Sequence, residues 1–221
     1  MQTLAAMHLR ASTRAFLDQP VERRLIETLL EAARYAPSGV NTQPWQVAVL
    51  TGHSQEKLSQ ALTAAHVAAI PANPDYAYYP SVWPEPYKSR RKACGLALYQ
   101  SQGITLDDSA GRNTAWLDNY RFFGAPVALL FFVDKTLATG SWVDVGMFIQ
   151  NVMLAAVDQG LATCPQASIA EYPDIVRTLL NIPAQHTLVC GMSLGYPDAS
   201  ARVNQYRTVR EPVTSFTLWH D

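Results

Sequence analysis

The sequence predicts an α+β domain, because helical periodicity alternates with short apolar runs, one run is apolar without a break, and one helix is apolar on nearly every face. The unbroken run is Pro126 to Asp134, where Val-Ala-Leu-Leu-Phe-Phe-Val reads as a strand covered on both faces and therefore placed in the middle of a sheet. The apolar helix spans Trp142 to Asp158, carries Val145, Met147, Phe148, Ile149, Val152, Met153, Leu154, Ala156 and Val157, and closes at Gly160. A helix buried all round in so small a protein points to burial against a second subunit.

In chain order, Pro20 precedes a helix with Leu25, Ile26, Leu29, Leu30 and Ala33 on one face, ending at Ala36-Pro37 because the residue before proline disfavours helix. Gln46 to Thr51 is a short strand, and a further helix carries Leu58, Leu62 and Ala65. From Pro71 to Pro86 the composition shifts to prolines and aromatics (Tyr76, Tyr78, Tyr79, Trp83 and, just beyond, Tyr87), which no regular element accommodates. Residues 71–121 read as a loop-and-helix excursion that covers something aromatic. Ser168-Ile169-Ala170-Glu171 has capping-box spacing, with Pro173 as an alternative first helical turn, and that helix ends near Asn181. His186 to Leu194 is the last core strand. Val213 to Trp219 has strand-forming residues but no later element to pair with, and reads as an arm reaching a partner.

At 221 residues, 48% of them hydrophobic, the chain suits one domain spanning 1–221. Lys and Arg total 17 against 18 Asp and Glu, a net charge of -1, so no global field draws the protein onto nucleic acid or an anionic membrane. Met1 to Arg10 lacks the apolar core of a secretory signal, and no apolar run reaches the roughly 18 residues of a membrane span, which predicts a soluble, cytoplasmic protein. Cys94, Cys164 and Cys190 are odd in number and without metal-ligand spacing, so they read as reduced core thiols with no metal site. His8, His53, His66, His186 and His220 are scattered at unrelated spacings, and no G-x-S-x-G nucleophile turn is present.

Four separated fragments carry the chemistry. Arg10 and Arg14 lie four apart with Ala11 and Ser12 between them, so two guanidinium forks and a hydroxyl suit a phosphate or a ring carbonyl. Pro37-Ser38-Gly39-Val40-Asn41-Thr42-Gln43-Pro44-Trp45 packs small and amide-bearing residues into one turn. Cys164-Pro165-Gln166-Ala167-Ser168 is a second small-residue turn, and Arg207 and Arg210 add charge near the C-terminus. Singly, each is an ordinary connector or a solvated cation. Jointly, they fit a cofactor with a phosphate at one pole and a polar-edged ring at the other.

The R-x-S-x-R start, the A-P-S-G-x-N-x-Q-P-W turn, the G-L-A-T-C-P turn and the G-Y-P-D end before a basic tail make the chain similar to the nitroreductase family of FMN-dependent homodimeric oxidoreductases. Residues 86–91, 119–126 and 142–144 resemble its nitrobenzoate branch. The resemblance implies the family fold, with a central mixed, mainly antiparallel sheet, flanking helices and a C-terminal arm exchanged in a homodimer. It also implies that Arg10, Arg207 and Arg210 hold the FMN phosphate, with Arg14 at the N1 and C2 carbonyl edge of the ring, where a cation favours the reduced state. Pro37, Ser38, Gly39 and Asn41 would approach from the other subunit, and Pro165, Gln166 and Ala167 would pass beneath the ring with a backbone N–H near N5. Gln166 stands where better-known members often carry an acidic residue. Asn119 and Asp144 would touch the ribityl chain or ring edge. No side chain is expected to act as a catalytic acid or base, since the flavin carries hydride between NADH or NADPH and a nitroaromatic, giving hydroxylamine by ping-pong steps.

Substrate selection is expected between Pro71 and Arg121. Tyr76, Tyr78, Tyr79 and Trp83 would wall an aromatic slot, and Lys88, Arg90, Arg91, Arg112 or Arg121 would pair with a substrate carboxylate, unless they form a packed lid and a solvated helix face. The same fold also runs reductive dehalogenation and flavin or alkene reduction. A flavin-binding protein without turnover is the non-enzymatic alternative.

Overall fold

Strand β2 (Val127–Asp134) organises the domain because its side chains are apolar on both faces. Val127, Leu129, Phe131 and Val133 enter one core cluster and Ala128, Leu130 and Phe132 the other, the period-two alternation of a pleated strand. The computed structural model describes residues 1–220. Around β2 lie β1 (Gln46–Thr51), β3 (Ala162–Gln166) and β4 (His186–Gly195), in the order β1-β2-β4-β3 with every neighbour antiparallel. The one parallel feature among the described residues is the isolated bridge between Ser12 and Thr163.

Helices sandwich the sheet. Helix α1 (Thr3–Leu9) opens the chain, and α2 (Arg23–Ala33) and α6 (Thr139–Asp158) pack on one face through Ile26, Leu29, Phe148, Val152 and Ala156. On the other face lie α3 (Gly52–Val67), α5 (Ser109–Tyr120) and α7 (Pro173–Leu180), with Leu58, Leu62, Tyr120 and Val176 buried. Each fully buried side chain of this size contributes about 1.5–3 kcal/mol of transfer free energy. Helices α4 (Tyr87–Ser101) and α8 (Arg202–Gln205) stand outside the two cores.

The local signals explain most boundaries. Pro173 occupies the first turn of α7, Asn181 ends it in the left-handed conformation, and Gly160 takes positive φ just past α6. Asp108 caps α5 by accepting the Gly111 N–H at 2.7 Å. Residues between Pro71 and Pro86 form no helix or strand, as their prolines require.

Three expectations are corrected. The capping box at Ser168 is absent, because Ala167–Glu171 folds as a 3-10 turn with Ile169 and Ala170 buried in the core, and α7 starts at Pro173. The segment read as a turn at Cys164-Pro165-Gln166 is strand β3, where a proline is tolerated on a sheet edge. Consistent with a tail that has no element of its own chain to pair with, Val213–Ser215 forms a 3-10 turn and the tail makes no ladder among the described residues. By length and composition α6 is apolar enough to cross a membrane, but seven of its residues are buried in the domain, so it is a core helix with one outward flank.

Candidate functional site

The two chain ends are brought together by a small set of bonds. Thr13 N–H donates to the Thr163 carbonyl at 3.0 Å, holding the first fragment beside β3. Asn204 on α8 accepts the Arg14 N–H at 2.8 Å and donates through Nδ2 to the carbonyls of Ala15 and Asp198, both at 2.8 Å. One asparagine thus fixes residues 14–15 against the start of the tail. Sequence reasoning missed it, because a lone polar residue on a one-turn helix carries no signal.

This arrangement places Arg10, Ala11, Ser12, Arg14, Arg207 and Arg210 around one cavity of about 620 Å³, with Thr208 and Tyr206. Among the described residues the lining contains four guanidinium groups and no carboxylate. Among the described residues none of the four arginines forms an ion pair; Arg207 and Arg210 donate to carbonyls of their own segment, and Arg14 to the Ser12 carbonyl at 3.3 Å. Partial burial and the neighbouring Arg210 charge push the Arg10 pKa below its ordinary value. Uncompensated positive charge in a partly desolvated cavity is an anion-binding environment.

Arg14 also lines two adjoining cavities, of about 340 and 600 Å³, and its guanidinium lies 5.9 Å from the centroid of the Phe123 ring. The smaller, ring-side cavity is bordered by Pro165, Gln166, Ala167, Asn119 and Tyr76. The larger, aromatic one is walled by Tyr79, Trp83, Tyr87, Tyr99, Trp116 and Phe123. Tyr79, Trp116 and Asn119 belong to both. A continuous groove therefore runs from a cationic end, past Arg14, to an aromatic end.

Gln166 is 3% exposed, and both ends of its amide are used inside the protein. Nε2 donates to the Asn119 carbonyl at 2.6 Å, and Oε1 accepts the Ser193 hydroxyl at 2.7 Å. It therefore offers the groove its backbone, while the side chain welds β3 to β4 and α5. Opposite Gln166 in the register stands Gly191, where an added Cβ would lie 2.6 Å from Ile169 Cγ1, so the glycine lets the Ala167–Glu171 turn close onto β4. Ser168 is buried at the cavity wall with its hydroxyl unpartnered among the described residues.

The excursion over the groove is anchored at its base. Asp75 pairs with Arg177 and accepts the Leu188 N–H at 3.1 Å. The Tyr76 hydroxyl donates to the Val189 carbonyl at 2.5 Å, and its ring packs edge-on to Trp142 at 4.6 Å. Burial and the hydrogen bond to Glu171 push the Tyr120 pKa up; its hydroxyl donates to Glu171 Oε2 at 2.7 Å, at the ring-side cavity.

The structure does not bring the Pro37, Ser38, Gly39 and Asn41 loop to this groove within one chain. Gly39 N–H donates to Asp144 Oδ2 at 3.2 Å, so Asp144 supports that loop and does not line the groove. Val40 at its tip is 97% exposed with φ +44°, a strained conformation for a β-branched residue. Three substrate-side expectations are corrected. Arg121 leaves the groove because it caps α5 on the far side, pairs with Asp118 at 3.4 Å and borders a separate depression beside Asp18 and Gln55. Lys88, in the first turn of α4, is exposed and lines none of the three cavities, whereas Arg90 and Arg91 two and three residues on do. Arg112 is turned onto the carbonyls of Thr105 and Leu106. Trp116 and Phe123 went unnoticed, although the Asp108 cap could have marked the helix that presents Trp116.

The fold and the groove define a class, and comparison places the chain in it: a model of the nitroreductase family matches residues 8–196, and the chain belongs to that family. Among curated relatives, a 4-nitrobenzoate reductase from Pseudomonas putida is 41% identical over 213 residues, covering 96% of this chain and 93% of the relative. Among solved structures, the FMN and NADPH-dependent nitroreductase NfnB from Sphigopyxis sp. strain HMH superposes with a TM-score of 0.96 at 38% identity over 100% of both chains. The FMN-dependent NfnB from Mycobacterium smegmatis, solved in complex with NADPH, gives 0.93 at 32% identity over 99% of both. The α+β expectation is thereby met by the family fold.

Proposed function

We propose that this protein is an FMN-dependent, NAD(P)H-using oxidoreductase that reduces nitroaromatic compounds, nitrobenzoates among them, to hydroxylamines. The observation that carries the reading is the cavity lined by four arginines, none of them in an ion pair among the described residues, opening through Arg14 onto an aromatic groove. A dianionic phosphate at one end and a flat ring at the other complement that lining, so the residues fit FMN. The relatives named above support the activity.

Arg10, Arg207 and Arg210 would hold the phosphate, with Ser12 and Ala11 alongside. Arg14, central to all three cavities, would face the carbonyl edge of the ring, and the backbone at Pro165, Gln166 and Ala167 would lie beneath it. When bound, the flavin would supply the redox chemistry in two rounds, each fed by one NAD(P)H: two electrons and two protons take the nitro group to nitroso and water, and a second two electrons and two protons take nitroso to hydroxylamine, with the protons beyond the hydride drawn from solvent. The chain's own part would be to bind, to orient and to exclude water, with no catalytic acid or base required of it. Tyr79, Trp83 and Trp116 would stack against nicotinamide and nitroarene in turn.

The protein would act as a homodimer. The Pro37–Asn41 loop, held by Asp144, would complete the ring site of the second copy, and the exposed Phe216, Leu218 and Trp219 would form the exchanged arm. The test is anaerobic: NADPH or NADH should bleach the FMN-loaded protein, and a nitroarene should restore the colour with hydroxylamine as product. Bleaching without reoxidation by any nitroarene would refute the substrate class; a screen of haloaromatic and alkene acceptors would then identify the one used. Failure to bleach with either nucleotide would leave a flavin-binding protein without turnover.

A further inference from the structure

We infer that Arg91 is the residue that selects carboxylated nitroarenes, and that a substrate lies with its carboxylate toward α4 and its nitro group toward the Pro165–Ala167 end of β3. This rests on the nitroreductase reading above and adds the determinant and the orientation. The argument is the charge distribution along the groove. Arg14 is common to both cavities; beyond it the aromatic cavity adds Arg90 and Arg91 with no carboxylate among the described residues, while the ring-side cavity adds Glu171, held in place by the Tyr120 hydroxyl at 2.7 Å. An anionic substituent is therefore repelled at one end and attracted at the other.

The three cations are not equivalent. Arg14 sits at the junction of all the cavities and, on the functional reading above, is taken up by the cofactor. Arg90 is engaged, pairing with Glu211 at 3.2 Å while its guanidinium lies 5.8 Å from the Tyr87 ring centroid. Arg91 has no ion pair among the described residues, and its guanidinium stands 5.4 Å from the Trp83 ring centroid. The aromatic face restrains the side chain without neutralising it, so the fork stays available to a planar carboxylate beside the slot that takes the arene.

The test compares 4-nitrobenzoate with 4-nitrobenzamide, a neutral molecule of the same shape, in wild type, Arg91→Gln, Arg91→Lys and Arg91→Glu holoenzyme. Dissociation constants of benzoate and benzamide are measured alongside by calorimetry, which needs no turnover. Arg91→Gln should lower kcat/KM for the nitrobenzoate about five- to tenfold and weaken benzoate binding by a similar factor, with both amides within twofold. Arg91→Glu should reverse the preference, and Arg91→Lys should keep part of it. The wild-type preference should also shrink as salt rises. Equal losses on acid and amide, or no loss on either, would overturn the assignment. So would a change confined to the ratio of NADPH to NADH use, because the cation would then serve the nucleotide phosphate. A wild-type enzyme that reduces neither nitroarene would instead refute the functional reading itself.

Discussion

Arg10→Gln tests the proposed phosphate site, because the substitution should act in opposite directions with and without ligand. In the ligand-free protein Arg10 is partly desolvated beside Arg210, and both effects push its pKa down, so its charge opposes folding at any neutral pH. Relief of one such like-charge contact is worth about 0.5 kcal/mol, which raises Tm by about 1–2 °C in a domain of this size. With FMN bound in the proposed site, the same charge would meet a phosphate in a cavity that has no carboxylate among the described residues. A charge-assisted hydrogen bond there contributes about 1.5–3 kcal/mol, so Kd for FMN should rise about 10- to 150-fold. Riboflavin, which lacks the phosphate, supplies the control and should bind wild type and variant within about twofold. The assay is fluorescence titration of the apoprotein with each flavin, together with calorimetric melting. Equal weakening for FMN and riboflavin would mean that Arg10 shapes the fold and not the phosphate site, and unchanged FMN affinity would remove Arg10 from the site altogether.

Ser193→Ala should strand Gln166 Oε1 in the core and lower stability by about 1–3 kcal/mol, read as a reduced urea midpoint, with weaker FMN binding as the end of β3 loosens. An unchanged midpoint would mean that the bond contributes nothing. Asp144→Ala leaves the Gly39 N–H without its acceptor and frees a loop already strained at Val40, so FMN binding should weaken by about 1–2 kcal/mol while secondary structure by circular dichroism stays the same; unaltered affinity would detach the loop from the site. Burial pushes the Cys164 thiol up and that of Cys190 up to about 12, so the folded state keeps protons that the unfolded state releases. That stabilisation is fully present below the unfolded pKa near 9 and is lost as pH rises toward about 12. The urea midpoint should therefore fall above about pH 9, more shallowly in Cys190→Ala, and parallel slopes for the two proteins would count against it.

How much could be read in advance depended on whether one residue or a convergence of residues carried the signal. β2 was legible because its composition alone reports burial on both faces, and Gln46–Thr51 appeared with the expected bounds. β3 was not, since Pro165 is a breaker by rule and only its place at the sheet edge makes it tolerable. The convergence of arginines nearly the whole chain apart on one cavity was nameable only because their motifs occur in order; the reason they meet, Asn204 holding residues 14–15, is a tertiary fact. On the substrate side, the sequence offered five equivalent cations. Helix phase and neighbours separate them, turning Arg121 to Asp118, engaging Arg90 with Glu211 and leaving Arg91 beside Trp83. The aromatic tail kept its apolar character but formed no strand, because β-propensity without a partner edge yields no ladder.

The most direct test of a flavin site shared between two copies is a mixed dimer, with Arg10→Gln in one subunit and a disrupted Gly39–Asn41 loop in the other. If each groove is completed by the opposite copy's loop, one site collects both defects and the other none, so half of the FMN should bind with wild-type affinity. Two equally weakened sites, with no wild-type phase in the titration, would show that cavity and loop serve the same chain and would contradict the account.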